Sequence, residues 1–190
     1  METRSILIVG VGGQGTLLAS KLLGKILLNK GYDVKVSELH GMSQRGGSVT
    51  TYVRYGERVY SPVIESGEAD YIVSFEMLEA ARWSHCLKPG GTVISSTGRI
   101  DPMPVTTGAA QYPEGIPETL RARGIRLIEV DAPELAARAG SGKTVNTVLM
   151  GVLARELGLP REDWEAAIAA TVPVKYKEVN LRAFALGVGE

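Results

Sequence analysis

The sequence predicts an α/β protein with a mostly parallel sheet, flanking helices, a β-hairpin insertion and a helical C-terminal third. Two observations support this prediction. Apolar runs typical of buried parallel strands alternate with segments of helical period over most of the chain, and helical period alone continues from Val145. No repeat or linker interrupts the pattern, so residues 1–190 are expected to form one domain.

The chain opens with a strand, a glycine-rich turn and a helix. Residues 6–9 form a continuous apolar run, and residues 14–30 have the period of a helix that ends at Gly31. A second strand at 33–37 would complete a right-handed strand–helix–strand unit, which makes the predicted fold Rossmann-like. The turn contains four glycines: Gly10, Gly12, Gly13 and Gly15.

The middle of the chain continues the alternation with one interruption. Residues 49–55 and 58–61 flank Tyr-Gly-Glu and predict a β-hairpin, which would add antiparallel strands to the sheet. A strand at 71–75, a helix at 76–87 and a strand at 92–96 follow.

The remaining segments are a loop, a strand and helices. Residues 97–117 contain four prolines and predict a long surface loop, with at most a short strand near Val105. A strand at 125–130 leads into a short helix capped by Asp131. The last three predicted helices are an amphipathic helix from Val145 to its end at Gly158, a helix at 160–170 and a helix at 175–186.

Composition excludes several classes of protein. The 21 basic and 21 acidic residues give a net charge of zero, so the overall charge does not indicate nucleic-acid binding. The apolar runs fall short of the roughly 20 residues that cross a bilayer, and the N-terminus enters a strand directly, so we expect a cytoplasmic protein without a signal peptide or membrane span. The single cysteine, Cys86, excludes an internal disulfide and any iron–sulfur cluster built from this chain alone.

The glycine turn has two interpretations. Gly10, Gly12 and Gly15 fit the spacing G-x-G-x-x-G between a strand and a helix, which is the dinucleotide fingerprint, and Glu38 could hold a ribose. Alternatively, the glycines permit close packing of the first helix or of a partner chain. With Gly13 and Gln14, they are the first candidate site.

A second glycine-rich stretch at 140–144 resembles the end of a phosphate-binding loop. Ala137 stands where that motif needs a glycine, and a helix precedes it where the motif needs a strand, so we reject this interpretation. The stretch instead predicts a helix start capped by Ser141 or Thr144, followed by Asn146 facing the interior or a ligand.

The segment at 43–47 is the third candidate, since it follows the carboxyl end of a strand where open sheets bind ligands. The guanidinium of Arg45 could clamp a phosphate or carboxylate, although a solvated surface turn explains it equally well. His40 and His85 lack the spacing of metal ligands, and we predict no catalytic residue and no metal site. The candidate residues of this segment are Ser43, Gln44, Arg45, Gly46 and Gly47.

Several of these segments together resemble a known family. Ile-Val-Gly-Val-Gly-Gly-Gln-Gly, residues 37–49, the helix containing Asn146 and residues 180–184 are similar to the gamma domain of 2-oxoacid:ferredoxin oxidoreductases. Within that family, His-Gly-Met-Ser-Gln-Arg-Gly-Gly most resembles the beta subunit type of the indolepyruvate enzymes.

The resemblance implies an accessory subunit that is not active alone. An arylpyruvate would be oxidatively decarboxylated to an acyl-CoA, with electrons passed to ferredoxin. Because the chain has one cysteine and no Gly-Asp-Gly motif, thiamine diphosphate, Mg²⁺ and iron–sulfur clusters would belong to a larger alpha subunit. The glycine turn and the Arg45 segment would pack against that subunit or shape the approach of coenzyme A and substrate. Two alternatives stay open: a self-contained NAD(P)-dependent oxidoreductase, or a noncatalytic nucleotide- or CoA-binding module.

Overall fold

The computed structural model describes residues 2–40 and 47–189. Over these residues the sheet has six strands: β1 (Arg4–Val11), β2 (Asp33–His40), β3 (Ser48–Gly56), β4 (Ala69–Ser74), β5 (Leu87–Ser96) and β6 (Arg126–Val130). The same residues form eight α-helices: α1 (Thr16–Asn29), α2 (Met77–Trp83), α3 (Met103–Thr106), α4 (Ile116–Ala122), α5 (Ala132–Ala139), α6 (Val145–Leu157), α7 (Arg161–Thr171) and α8 (Lys177–Val188).

The strands form one mixed sheet in the order β2-β3-β1-β4-β5-β6. β4, β5 and β6 run parallel to β1, whereas β3 is antiparallel to both β1 and β2. β2 therefore has the direction of β1, as a strand–helix–strand unit requires, but β3 lies between them. The predicted fold class, a mostly parallel α/β sheet with a helical C-terminal third, is confirmed.

The predicted hairpin is wrong in its second strand. Residues 58–61 form no strand, and the antiparallel hairpin consists of β2 and β3. Both backbone edges of β3 are already paired, with β1 on one side and β2 on the other, so no edge remains for a strand at 58–61. That segment is held instead by a bond from the backbone N–H of Val59 to Oδ2 of Asp33 (2.8 Å).

Helices cover both faces of the sheet. On one face, Ile6 and Ile8 of β1 pack with α1 and with the C-terminal helices α5 to α8. On the other, Leu7 and Val9 pack with α2. These four side chains are all fully buried, which explains why residues 6–9 form a continuous apolar run rather than an alternating one.

Two short helices interrupt the loop predicted at 97–117, and each has a proline at its start. α3 occupies the place of the short strand predicted near Val105, with Pro102 before its first turn, and α4 begins at Ile116 with Pro117 in its first turn. Proline suits a first helical turn because its missing N–H has no partner there in any case. No helix within 2–40 or 47–189 is long and apolar enough to cross a membrane.

The helix predicted to be amphipathic is buried all round. Residues 146–154 of α6 are all buried, because α1 and β5 lie against part of this helix while α5 and α8 cover the rest. α6 crosses α8 at a pair of glycines: a Cβ on Gly187 would lie 2.1 Å from the Val148 carbonyl oxygen, and one on Gly151 would lie 2.4 Å from that of Phe184. The absence of side chains at both positions sets the distance between these two helices.

Candidate functional site

The glycine turn joins β1 to α1 at the carboxyl edge of the parallel strands. Gly13 and Gly15 have φ of 99° and 88°, conformations that residues with a side chain rarely adopt. The backbone N–H of Gly12 donates to the carbonyl oxygen of Gly47 (2.9 Å), so the turn contacts the start of β3 directly. From the end of β1 the chain continues through α1 to β2 on one side of the sheet, whereas β4 pairs with β1 on the other side. The carboxyl end of β1 is therefore the switch point of the sheet.

Gln14 bridges the two strands at the switch point. Its Oε1 accepts from the backbone N–H of Val11 (2.7 Å), and its Nε2 donates to the carbonyl oxygen of Phe75 (3.0 Å). A Cβ on Gly10 would lie 2.8 Å from Gln14 Oε1 and 2.9 Å from Phe75 Cβ. Gly10 is therefore needed for the close approach of this chain's own side chains, which supports the packing interpretation of the first fingerprint glycine.

Asn146 lies directly over Gly15. Its Nδ2 donates to the Gly15 carbonyl oxygen (3.4 Å) and would be 2.7 Å from a Cβ at that position. Its Oδ1 accepts from the backbone N–H of Thr147 (2.8 Å), whose hydroxyl donates to Oδ1 of Asn180 (2.6 Å). Of the two orientations predicted for Asn146, the interior one is observed, since its side chain is buried in a hydrogen-bonded chain from the glycine turn to α8.

Two clefts open on either side of the turn. The larger, here called the β5 cleft, has a volume of about 600 Å³. It is lined by Gly13, Gln14, Gly15, Phe75, Ser96, Gly98, Arg99, Ile100, Pro133, Gly142, Lys143 and Val145. The smaller, the β2 cleft, has a volume of about 380 Å³. It is lined by Gly12, Gly13, Gly15, Thr16, Leu17, Glu38, His40 and Val49.

The β2 cleft brings Glu38 to the glycine turn but departs from dinucleotide geometry. β3 separates β1 from β2, so Glu38 does not project from the strand next to the turn. Its Oε2 instead accepts a long hydrogen bond from the Thr51 hydroxyl (3.4 Å) on β3. This arrangement does not favour Glu38 as a ribose ligand.

The β5 cleft contains two cations that sequence reasoning did not select, Arg99 and Lys143. The Nε of Arg99 contacts Oδ1 of Asp101 (2.6 Å), a hydrogen bond that raises the pKa of the guanidinium, and its charge lies over the ring of Tyr112. Burial, and then the hydrogen bond to Glu76, raise the pKa of Tyr112. Lys143 is exposed and has no ion-pair partner among residues 2–40 and 47–189. In the sequence, only the resemblance of residues 140–144 to a phosphate-binding loop, which was rejected, drew attention to Lys143.

The structure confirms that residues 140–144 do not follow a strand, as a phosphate-binding loop would require. Residues Gly142–Thr144 form a single 3₁₀ turn after α5, not a loop after a strand. Of the two predicted caps, Ser141 accepts from the backbone N–H of Lys143 (3.3 Å), whereas Thr144 makes no side-chain cap.

Of the Arg45 segment, residues 43–47, the structure describes only Gly47. Ser43, Gln44, Arg45 and Gly46 lie outside the described residues, so their proposed role stays a prediction. Gly47 contacts the glycine turn, and the next residue, Ser48, donates from its hydroxyl to Oε2 of the buried Glu79 (2.6 Å). Glu79 also pairs with Arg82 (3.3 Å). The segment thus ends beside Gly12.

No group of three or more His, Cys, Asp or Glu side chains within the described ranges could hold a metal ion. The sheet order, with a glycine turn and two clefts at its switch point, is that of an open, mostly parallel α/β sheet of the Rossmann-like class. Residues 5–190 match the family model described as pyruvate ferredoxin/flavodoxin oxidoreductase, and the chain belongs to this family. The resemblance to a 2-oxoacid:ferredoxin oxidoreductase gamma domain is thereby confirmed.

Individual relatives agree with this membership. Indolepyruvate oxidoreductase subunit IorB of Thermococcus kodakarensis is 45% identical over an alignment of 196 positions, which covers 99% of this chain and 96% of the relative. Pyruvate oxidoreductase subunit PORC of Thermotoga maritima has a TM-score of 0.74 at 22% identity and covers 100% and 97% of the two chains. A 2-oxoglutarate:ferredoxin oxidoreductase from Magnetococcus marinus has a TM-score of 0.75 at 17% identity, covering 99% of this chain and 31% of that one. These two structures share the fold.

Proposed function

We propose that this chain is the accessory subunit of an oxidoreductase that converts an arylpyruvate such as indolepyruvate to its acyl-CoA. In this reaction the bond to the carboxylate breaks and releases CO₂, and a thioester bond forms to the sulfur of coenzyme A. Two electrons reduce two ferredoxin molecules, and the thiol proton is released. The observation that carries the proposal is the match of residues 5–190 to the family, together with 45% identity to an indolepyruvate oxidoreductase subunit over nearly the whole chain.

The cofactors are proposed to lie in a larger alpha subunit. Iron–sulfur clusters need several cysteine thiolates, and this sequence contains Cys86 alone. Thiamine diphosphate with Mg²⁺, which supplies the decarboxylation chemistry, is assigned to the same partner because the Gly-Asp-Gly motif is missing here. We further propose that residues 1–190 act as one gamma-type domain in the cytoplasm, where ferredoxin is available, without binding nucleic acid or a membrane.

This chain's own contribution is proposed to be a shaped surface at the glycine turn. Gln14 and Asn146 hold the turn rigidly from two sides, so Gly12, Gly13 and Gly15 present backbone between the two clefts. The Arg45 segment, which ends beside Gly12, would close this surface against the alpha subunit. The β5 cleft, at about 600 Å³, is large enough for the phosphate groups of coenzyme A, and Lys143, which has no ion-pair partner among the described residues, supplies a positive charge there.

Reconstitution tests the proposal. The purified chain alone is expected to show no oxidation of indolepyruvate, whereas its mixture with the alpha subunit should reduce ferredoxin and form the acyl-CoA. Ferredoxin reduction followed by absorbance measures the activity, and mass spectrometry identifies the thioester. Oxidation by the chain without a partner would overturn the proposal, as would full activity of the alpha subunit alone.

The proposed role of Lys143 gives a second prediction. Lys143→Glu should raise the KM for coenzyme A about tenfold, because it replaces an attractive charge with a repulsive one near the phosphates. The KM for the oxoacid should stay unchanged. Arg123→Glu, a charge reversal at the exposed end of α4, is the matched control and should leave both values unchanged. An equal effect of the two variants would exclude the β5 cleft as the coenzyme A site.

The geometry does not favour a self-contained NAD(P) enzyme. The side chains of Gln14 and Asn146 fill the space over Gly10 and Gly15, and β3 separates Glu38 from the turn. Titration of the chain with NADH and NADPH, followed by fluorescence, is expected to show no binding at micromolar concentrations. Micromolar binding would restore that alternative.

A further inference from the structure

A mostly apolar groove runs along the outer side of α1, next to the edge strand β2. Its volume is about 450 Å³. We call it the α1–β2 groove, and it is lined by Leu17, Ser20, Lys21, Gly24, Lys25, Leu28, Asn29 and Val36. Leu17, Leu28 and Val36 are 49%, 59% and 46% exposed, which is high for three large apolar side chains in one groove.

The α1 residues of the groove follow a helical stripe. Positions 17, 21, 24 and 28 are separated by four, three and four residues, the spacing at which side chains line up along one face of a helix. A stripe of this spacing is what a second helix packs against. The end of the groove at Leu17 is continuous with the candidate site, because Leu17 also lines the β2 cleft beside the glycine turn.

Gly24 is the residue in this groove that the chain's own fold does not explain. It lies in the interior of α1, where glycine costs about 1 kcal/mol relative to alanine. A Cβ there would meet one described atom within 4 Å, Cγ2 of Val36 at 3.8 Å, which is an ordinary contact. Unlike Gly10 or Gly15, Gly24 has room for a side chain. Gly24 is buried and forms the bottom of the groove, and the absence of a side chain there leaves depth for another chain to approach.

The charges at the rim indicate what kind of chain approaches. Lys21 and Lys25 border the groove, and neither has an ion-pair partner in the part of the chain that the structure describes. α1 contains no acidic residue. If α1 crossed the α1 of a second copy about a two-fold axis, lysines would face lysines. The charges at the rim therefore favour, as the complementary surface, a different chain that carries carboxylates.

We propose that the α1–β2 groove docks an amphipathic helix of the alpha subunit. The apolar face of that helix rests on Leu17, Leu28 and Val36, its backbone crosses at Gly24, and its acidic side chains face Lys21 and Lys25. This is the helix-in-groove mode of recognition. The inference rests on the proposed function, which supplies the partner, and adds the surface by which that partner is held.

Binding of the purified alpha subunit to variants of the full chain tests the groove. Leu28→Glu places a carboxylate in the apolar lining of the groove and should weaken binding about tenfold or more. Val63→Glu is the matched control, because Val63 is an apolar residue of similar exposure (50%) outside the groove, and it should bind normally. Equal affinities of these two variants would overturn the proposal. Thermal unfolding of the free chains checks that both variants are folded.

Gly24→Ala separates docking from folding. The free chain should keep or slightly raise its melting temperature, because alanine is the better helix former and its methyl group has room. Binding to the alpha subunit should nevertheless weaken several-fold, since the methyl group raises the floor of the groove. Unchanged binding would remove the argument for a close backbone crossing.

Charge reversal tests the chemistry of the partner. The double variant Lys21→Glu, Lys25→Glu should weaken binding, and its affinity should improve with added salt while that of the wild type falls. If the wild-type chain binds no alpha subunit, the proposed function itself fails. If it binds and the groove variants bind equally well, only the docking surface is wrong. A dimer of the free chain that Leu28→Glu dissociates would assign the groove to a second copy.

Discussion

Gly187→Ala is expected to lower the free energy of unfolding by about 3 kcal/mol or more. The added Cβ would lie 2.1 Å from the Val148 carbonyl oxygen and 3.1 Å from the Cα of Gly151, so it meets the backbone of α6 itself. A backbone atom cannot rotate away as a side chain can, and α6 and α8 must separate. Because α6 is buried between the sheet and α8, that separation disturbs the packing of the whole C-terminal third. Urea unfolding followed by circular dichroism measures the change.

Gly24→Ala is the control for helix propensity. Both positions are buried glycines inside helices, but Gly24 has room for a methyl group and Gly187 has none. The control is expected to be neutral or stabilising by up to about 1 kcal/mol. Similar stabilities of the two variants would show that α6 and α8 do not depend on glycine for their approach.

Gly15→Ala is expected to destabilise the glycine turn by two separate effects. The φ of 88° costs a residue with a side chain roughly 1–2 kcal/mol. In addition, the Cβ would lie 2.7 Å from Nδ2 of Asn146 and displace a buried amide whose lost hydrogen bonds cost about 1–3 kcal/mol. We therefore expect a total loss of about 3 kcal/mol and, in the reconstituted complex, a reduced rate of acyl-CoA formation.

Gly13→Ala separates these effects. Gly13 has a similar φ of 99°, but no described atom lies within 4 Å of its Cβ position. This variant should lose only the conformational part, roughly 1–2 kcal/mol. In an Asn146→Ala background, the further cost of Gly15→Ala should fall to that of Gly13→Ala, because the collision has been removed. If the cost of Gly15→Ala is the same in both backgrounds, Asn146 does not restrain the turn.

The position of the two clefts could be predicted from the sequence, whereas the contacts that shape them could not. A glycine turn between a buried strand and a helix indicates the carboxyl edge of a parallel sheet, and the clefts are found there. The role of Gln14 depends on Phe75, which is 61 residues away, and that of Asn146 on Gly15, 131 residues away. Periodicity along a chain contains no information about contacts at such separations.

The incorrect predictions have equally local causes. Tyr-Gly-Glu is a plausible hairpin turn, and nothing nearby shows that β3 inserts between β1 and β2 and uses both of its edges. The prolines at 102 and 117 are compatible with a loop or with the start of a helix, and the sequence pattern around them does not distinguish the two. The spacing of the apolar positions in α6 is that of an amphipathic helix. The remaining face is buried because α8 packs against it, which the sequence of α6 does not show.

The position of β3 also determines the order in which the sheet can assemble. The strands β1 and β2 do not pair with each other, so residues 2–40 contain two strands and no strand pair. Both strands need β3, which follows β2 after the short connection 41–47, and neither can form its strand pair before β3 has been made. During synthesis the apolar run of β1 therefore stays without a sheet neighbour until β3 has been made, an interval in which chaperones would find it exposed.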